Sequence, residues 1–165
     1  MPDSAALTPA DLRYLRRCVE LAREALEDDD EPFGALLVDA HGSILFEDRN
    51  RVKGGEHTRH PEFEIARWAA AHLTPEQRAT ATVYTSGEHC PMCAAAHGWV
   101  GLGDIVYASS SEQLVTWYSE WDQPAAPVAA LPVAAVVPGA TTRGPSPELA
   151  GEVRALHARI LVRTD

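Results

Sequence analysis

The residues with the clearest chemical promise fall in two short clusters, His60-Pro61-Glu62 and Cys90-Pro91-Met92-Cys93. One imidazole and two thiolates are the borderline-soft donors that zinc takes, and a catalytic zinc keeps three protein ligands with a fourth position open to water. Two thiolates also offset the charge of a divalent metal. Cys90 and Cys93 stand at i and i+3 at a helix start, so they share one face, and the positive end of the helix lowers thiol pKa values. His60 begins a second helix. Glu62, two residues on, comes close to the open position without having to act as a ligand. A glutamate there takes protons from water and passes them on, first to a ring nitrogen and then to a departing amine. The expected chemistry is hydrolytic deamination with one Zn2+ per chain, held by His60, Cys90 and Cys93, and with Glu62 as the catalytic proton carrier.

A lone Cys-x-x-Cys also serves as a redox pair or as half of a structural zinc site. A structural site needs a fourth ligand, and His57, His72, His89 and His97 are available, with His97 one turn past Cys93 and His89 expected to point away. A non-catalytic zinc protein is therefore the competing reading. The two differ in whether a histidine closes the fourth position.

Periodicity places these clusters on definite elements. Thr8 as N-cap and Pro9 at the first position open a helix over 8–26, with Cys18 expected on its buried stripe. The acidic run 27–31 opposes that helix's dipole and is expected as a solvated boundary. A hairpin is expected from 33–38 and 43–47 around the turn 39–42, then a helix over 60–72 and a short polar turn at Pro75. A strand over 81–85, a helix from Cys90 to about Val100, an exit through Gly101 and Gly103, and a strand over 104–108 follow. The proline-rich tract 124–138 is expected to hold the last strand at 133–137, with 139–147 as a loop. A final helix over 147–162 carries Leu149, Val153, Leu156 and Ile160. Trp68 and Trp99 read as helix packing. Trp117, Tyr118 and Trp121 read equally as packing or as a lid over a flat base.

This alternation asks for a single α/β domain, 1–165, with a mixed sheet covered by helices. Its composition, 45% apolar and 23% charged, is that of a globular chain rather than a disordered one. The alanine- and valine-rich tract is broken by Pro127 and Pro132 and is too short for a membrane span; with no cationic, apolar leader, a cytoplasmic location is expected. The formal charge of −10 disfavours DNA and makes transfer RNA an unlikely partner, since phosphate backbones are held by cationic surface.

The order His-x-Glu then Cys-x-x-Cys resembles the zinc deaminases of the cytidine deaminase-like superfamily, with His89 where proline usually precedes the first cysteine. The surroundings resemble the guanine deaminase and nucleoside deaminase branch: Pro32-Phe33-Gly34-Ala35, Asn50, Tyr84-Thr85-Ser86-Gly87-Glu88, and Ile105-Val106-Tyr107-Ala108 followed by 109–113. The resemblance implies a three-layer α/β/α fold around a five-stranded mixed sheet, a homodimer, and a small-molecule base or nucleoside as substrate. It implies substrate contacts from Asn50 and Phe33, and from the backbone around Ala35 and Ser86 to Glu88. Trp121 is added as a candidate stacking residue. Gly87 and His89 depart from the branch's usual residues and border the pocket floor. Guanine-like rings are favoured, with cytosine, aminotriazines and a transfer-RNA adenosine as alternatives.

Overall fold

The first helix begins where the sequence places it because Thr8 and Asp11 cap each other. In the computed structural model, which describes residues 6–161, the Thr8 hydroxyl accepts from the Asp11 N–H and the Asp11 carboxylate accepts from the Thr8 N–H. Helix α1 (Pro9–Glu27) buries Leu15, Cys18, Val19, Ala22 and Leu26, so Cys18 is the core cysteine expected. Residue 162 of the expected last helix lies outside the described residues.

Strand β1 (Gly34–Val38) pairs antiparallel with β2 (Ile44–Arg49) on one side and with β3 (Thr82–Gly87) on the other. Strand β4 (Ile105–Ser109) then runs parallel to β3, and the two-residue β5 (Thr142–Arg143) parallel to β4. The order is β2-β1-β3-β4-β5, the five-stranded mixed sheet expected. Successive strand residues face opposite sides. Leu36, Val38, Tyr84, Val106 and Ala108 face α1 and α7 (Ala150–Leu161) in one core cluster. Ala35, Leu37 and Val83 face α2 (Pro61–His72), and Ile105 packs with Ala94 of α4 (Pro91–Val100). All of β1 is buried because helices cover both its faces. Gly34 is required there, since a Cβ would stand 2.5 Å from the Leu21 Cβ and the Cys18 carbonyl oxygen. No described helix is long and apolar enough to cross a membrane.

Several local expectations fail for physical reasons. The segment expected as the last strand is the short helix α6 (Val133–Val136), whose first N–H donates to Glu88 Oε1. The strand position beside β4 is taken instead by Thr142-Arg143, from the stretch expected as loop, with Arg143 also paired to Asp11. Pro75 begins a helix, α3 (Pro75–Thr80), because Thr74 and Gln77 form a capping box. The same device at Ser110 and Gln113 starts α5 (Ser111–Glu120), a helix not anticipated. Trp99 is 90% exposed rather than packed, because the inner face of α4 is used by Cys93, Ala94 and His97. The acidic run is not wholly solvated either. Asp30 is 5% exposed and accepts from the N–H groups of Glu31, Val52 and Lys53.

Candidate active site

Two X-Pro steps set the geometry. Proline pushes the residue before it into extended backbone and itself suits the first helical position. His60 (φ −87°, ψ 142°) and Cys90 (φ −66°, ψ 166°) are thus the N-cap residues of α2 and α4, which pack together. Cys93 follows one turn into α4. The His60 Nδ1 lies 3.6 Å from each of Cys90 Sγ and Cys93 Sγ, and the two sulfurs are 3.5 Å apart. Tetrahedral zinc ligands, with Zn–S about 2.3 Å and Zn–N about 2.0 Å, stand roughly 3.5–3.8 Å from one another. The triangle therefore has the size and the donor chemistry of a zinc site.

The group able to hold a metal comprises these three residues among those described. His97 is not a fourth. Its Nε2 is 2.8 Å from the Gly103 carbonyl, and the His72 Nδ1 is similarly engaged with Trp68 O. His57 is exposed, and His89 is buried outside the ligand group. The closed four-ligand arrangement of a structural site is not assembled among the described residues.

Electrostatics follow from crowding. The Cys93 thiol and the His60 imidazole beside Cys90 draw its thiol down to about 4. The same closeness to Cys90, together with burial, pushes Cys93 up. His60 is raised, first by its contact with Cys90. Glu62 is buried, with Oε2 3.9 Å from Cys93 Sγ, and burial lifts its carboxyl above the ordinary range. Thr85 counters this lift: its hydroxyl lies 2.6 Å from Glu62 Oε1 and 2.8 Å from the Gly87 carbonyl. In sequence Thr85 appears within the motif 84–88 but is given no role, since it reads as an ordinary β-branched strand residue.

The residues expected to touch substrate are distributed unevenly. Phe33 is half-buried, with its ring against Gly87, where an added Cβ would stand 3.4 Å from Phe33 Cε1, and edge-on to His157 at 4.9 Å. Asn50 is buried. Its N–H donates to Phe33 O, its Nδ2 donates to Glu31 Oε2, and its Oδ1 has no hydrogen-bond partner. Ala35 pairs with Asp48 and Thr85 and sends its methyl into the core beneath α2. The Ser86 hydroxyl accepts from the Gly34 N–H, and Ser86 O accepts from Ser109 Oγ. Glu88 engages both carboxylate oxygens, one with the Ser111 N–H and one with the Val133 N–H. Trp117 is in the core, and Trp121 sits at the end of α5 under the Arg154 guanidinium, 5.6 Å from its ring centroid. His157, also missed in sequence, is a buried imidazole with Nδ1 3.2 Å from Tyr118 Oη.

Comparison with known proteins agrees with this geometry. Residues 8–109 match the family model described as the cytidine and deoxycytidylate deaminase zinc-binding region. A probable cytosine deaminase of Schizosaccharomyces pombe is 32% identical over 114 residues, 68% of this chain and 68% of that protein. The guanine deaminase of Bacillus subtilis is 36% identical over 98 residues, 58% of this chain and 62% of that protein. A solved guanine deaminase from Nitrosomonas europaea superposes with a TM-score of 0.69 across 95% of this chain and 86% of that one. At 21% identity that likeness speaks to the fold.

Proposed function

The chain belongs to the zinc-binding cytidine and deoxycytidylate deaminase family, and from that premise we propose that it removes the exocyclic amine of a small aminated base or nucleoside, guanine-like rings before others. One observation carries the reaction class. A buried carboxylate, Glu62, sits beside a three-donor zinc triangle that no fourth described side chain closes. Zinc held by His60, Cys90 and Cys93 would lower the pKa of a water and hold it for attack on the amine-bearing ring carbon.

The chain's own residues supply the proton path. Glu62, raised by burial, accepts one proton from the water and gives it to a ring nitrogen, then takes the second from the oxygen added to the ring carbon and gives it to the amine, which leaves as ammonia as the C–N bond breaks. Thr85 supports both states of that carboxyl. Its single hydroxyl proton goes to ionised Glu62; when Glu62 is protonated, Glu62 donates to Thr85 Oγ1 and the Thr85 proton turns to Gly87 O. Phe33 supplies an aromatic wall, and Asn50 a hydrogen-bonding edge. The engaged side chains of Ser86 and Glu88 act by holding the backbone.

The guanine-like preference draws on the Bacillus relative, and a cytosine-type ring is the second reading, favoured by the longer alignment with the yeast relative. The net charge of −10 weighs against a transfer-RNA substrate. A homodimer belongs to the same proposal and is read by light scattering. The deciding experiment is ammonia release from guanine, guanosine, cytosine, cytidine, adenosine and an aminotriazine by the zinc-loaded protein, with transfer RNA as a separate arm. Turnover of a free base or nucleoside is expected; turnover of transfer RNA alone overturns the reading.

A further inference from the structure

The acidic run after α1 ends in two residues that organise the chain around Asn50. Asp30 Oδ1 accepts from the Glu31 N–H at 2.8 Å and the Val52 N–H at 3.2 Å, and its Oδ2 accepts from the Lys53 N–H at 3.3 Å. One buried carboxylate therefore fixes the backbone at Glu31 and again just past Asn50. Between them, the Asn50 N–H donates to Phe33 O at 3.0 Å, and the Arg51 N–H to Arg59 O at 3.1 Å, next to His60. Asn50 is thereby set at the sheet end that also carries Phe33, Gly34 and the metal group. In that frame Glu31 Oε2 accepts from Asn50 Nδ2 at 3.3 Å.

A carboxylate only accepts. The amide nitrogen of Asn50 must face Glu31, and the amide oxygen must face away from it. That oxygen is buried and has no hydrogen-bond partner, although the residue is only 1% exposed. A buried amide oxygen is rarely left unpaired, so the missing donor is expected from a bound molecule.

We propose that Glu31 is a positioning residue that fixes the polarity of the Asn50 amide, so that the site selects rings presenting an N–H donor to Asn50 Oδ1 over rings with a lone pair or an alkylated nitrogen there. The proposal rests on the deaminase reading and adds to it the hydrogen-bond polarity of the ring. Glu31 itself is exposed and is not one of the three metal-group residues, but its charge reaches His60, so zinc content is measured in each variant by elemental analysis.

Deamination products bind without turnover, so selectivity is read directly by calorimetry on the zinc-loaded protein with xanthine against 9-methylxanthine and uracil against 1-methyluracil. The parent protein is expected to prefer the N–H form of at least one pair by about ten- to a hundredfold, the worth of one buried hydrogen bond. In Glu31→Gln, whose amide meets Asn50 in either orientation, that preference should shrink to within about threefold, and Glu31→Ala should behave alike. A preference unchanged in both variants reflects steric exclusion of the methyl group and overturns the proposal, as does equal or absent binding of both forms by the parent. Ammonia release from guanine and cytosine is measured in parallel. A Glu31-dependent preference without turnover upholds the polarity and counts against the deaminase reading alone.

Discussion

Replacing Thr85 by valine keeps the shape of a fully buried side chain and deletes the hydroxyl 2.6 Å from Glu62 Oε1. The bond to ionised Glu62 is charge-assisted and worth about 1.5–3 kcal/mol, against about 1 kcal/mol for the neutral pair formed once Glu62 is protonated. The difference, roughly 0.5–2 kcal/mol, is the stabilisation specific to the carboxylate, and at about 1.4 kcal/mol per pKa unit it corresponds to roughly 0.4–1.4 units. Burial already lifts Glu62 and the Thr85 bond opposes that lift, so its loss raises the pKa further. The base form needed to accept a proton is then populated only at higher pH. The assay is kcat/KM against pH for whichever ring is turned over, because that ratio reports ionisations of the free enzyme. The acidic limb of Thr85→Val should move upward by that amount while the alkaline limb stays. An unmoved acidic limb, in a variant that keeps its zinc and its melting temperature, would mean that Glu62 does not govern the limb.

Glu62→Gln should retain zinc by elemental analysis and lose about 10²–10⁴-fold in ammonia release. Because the folded pKa of Glu62 is raised, the zinc-free parent loses stability as pH climbs from the ordinary carboxylate value toward the raised one; the glutamine variant should lack that decline in urea titrations. His157, pushed down to about 3 by burial, has the opposite sign: the unfolded chain takes up a proton below about pH 6.5 that the folded one refuses. The parent should therefore lose up to about 1.4 kcal/mol per pH unit on acidification from that point, a slope that His157→Phe should reduce. Asp30→Ala frees three backbone N–H groups and should cost about 3 kcal/mol in urea unfolding.

The group able to hold a metal was legible in the sequence because each half of it is set locally, although the packing of α2 on α4 brings the halves together. A proline after His60 and another after Cys90 dictate N-cap geometry at both helix starts, and the i,i+3 spacing puts Cys93 beside Cys90. The helical stripes of α1 and α7 and the hairpin β1–β2 were readable for the same reason. The misreadings occur where a residue's partner is distant in sequence. Residues 133–136 have strand-like valines, but the place beside β4 goes to Thr142-Arg143, a pairing fixed by register with Ile105 and Val106 rather than by pattern. Helix α5 buries little besides Trp117, so its apolar period was weak; the Ser110/Gln113 cap was the available signal.

The engagement of Glu88 with two distant N–H groups has an evolutionary consequence. Its carboxylate pins the first residues of α5 and α6 to a point two positions before Cys90 of the candidate metal group, and the chain between the end of α5 and Val133 hangs from those anchors as a largely exposed loop. Insertions, deletions or drift within 122–131 leave both anchors in place. That loop is therefore the part of the molecule where sequence can diversify among descendants while the inherited metal chemistry stays constant.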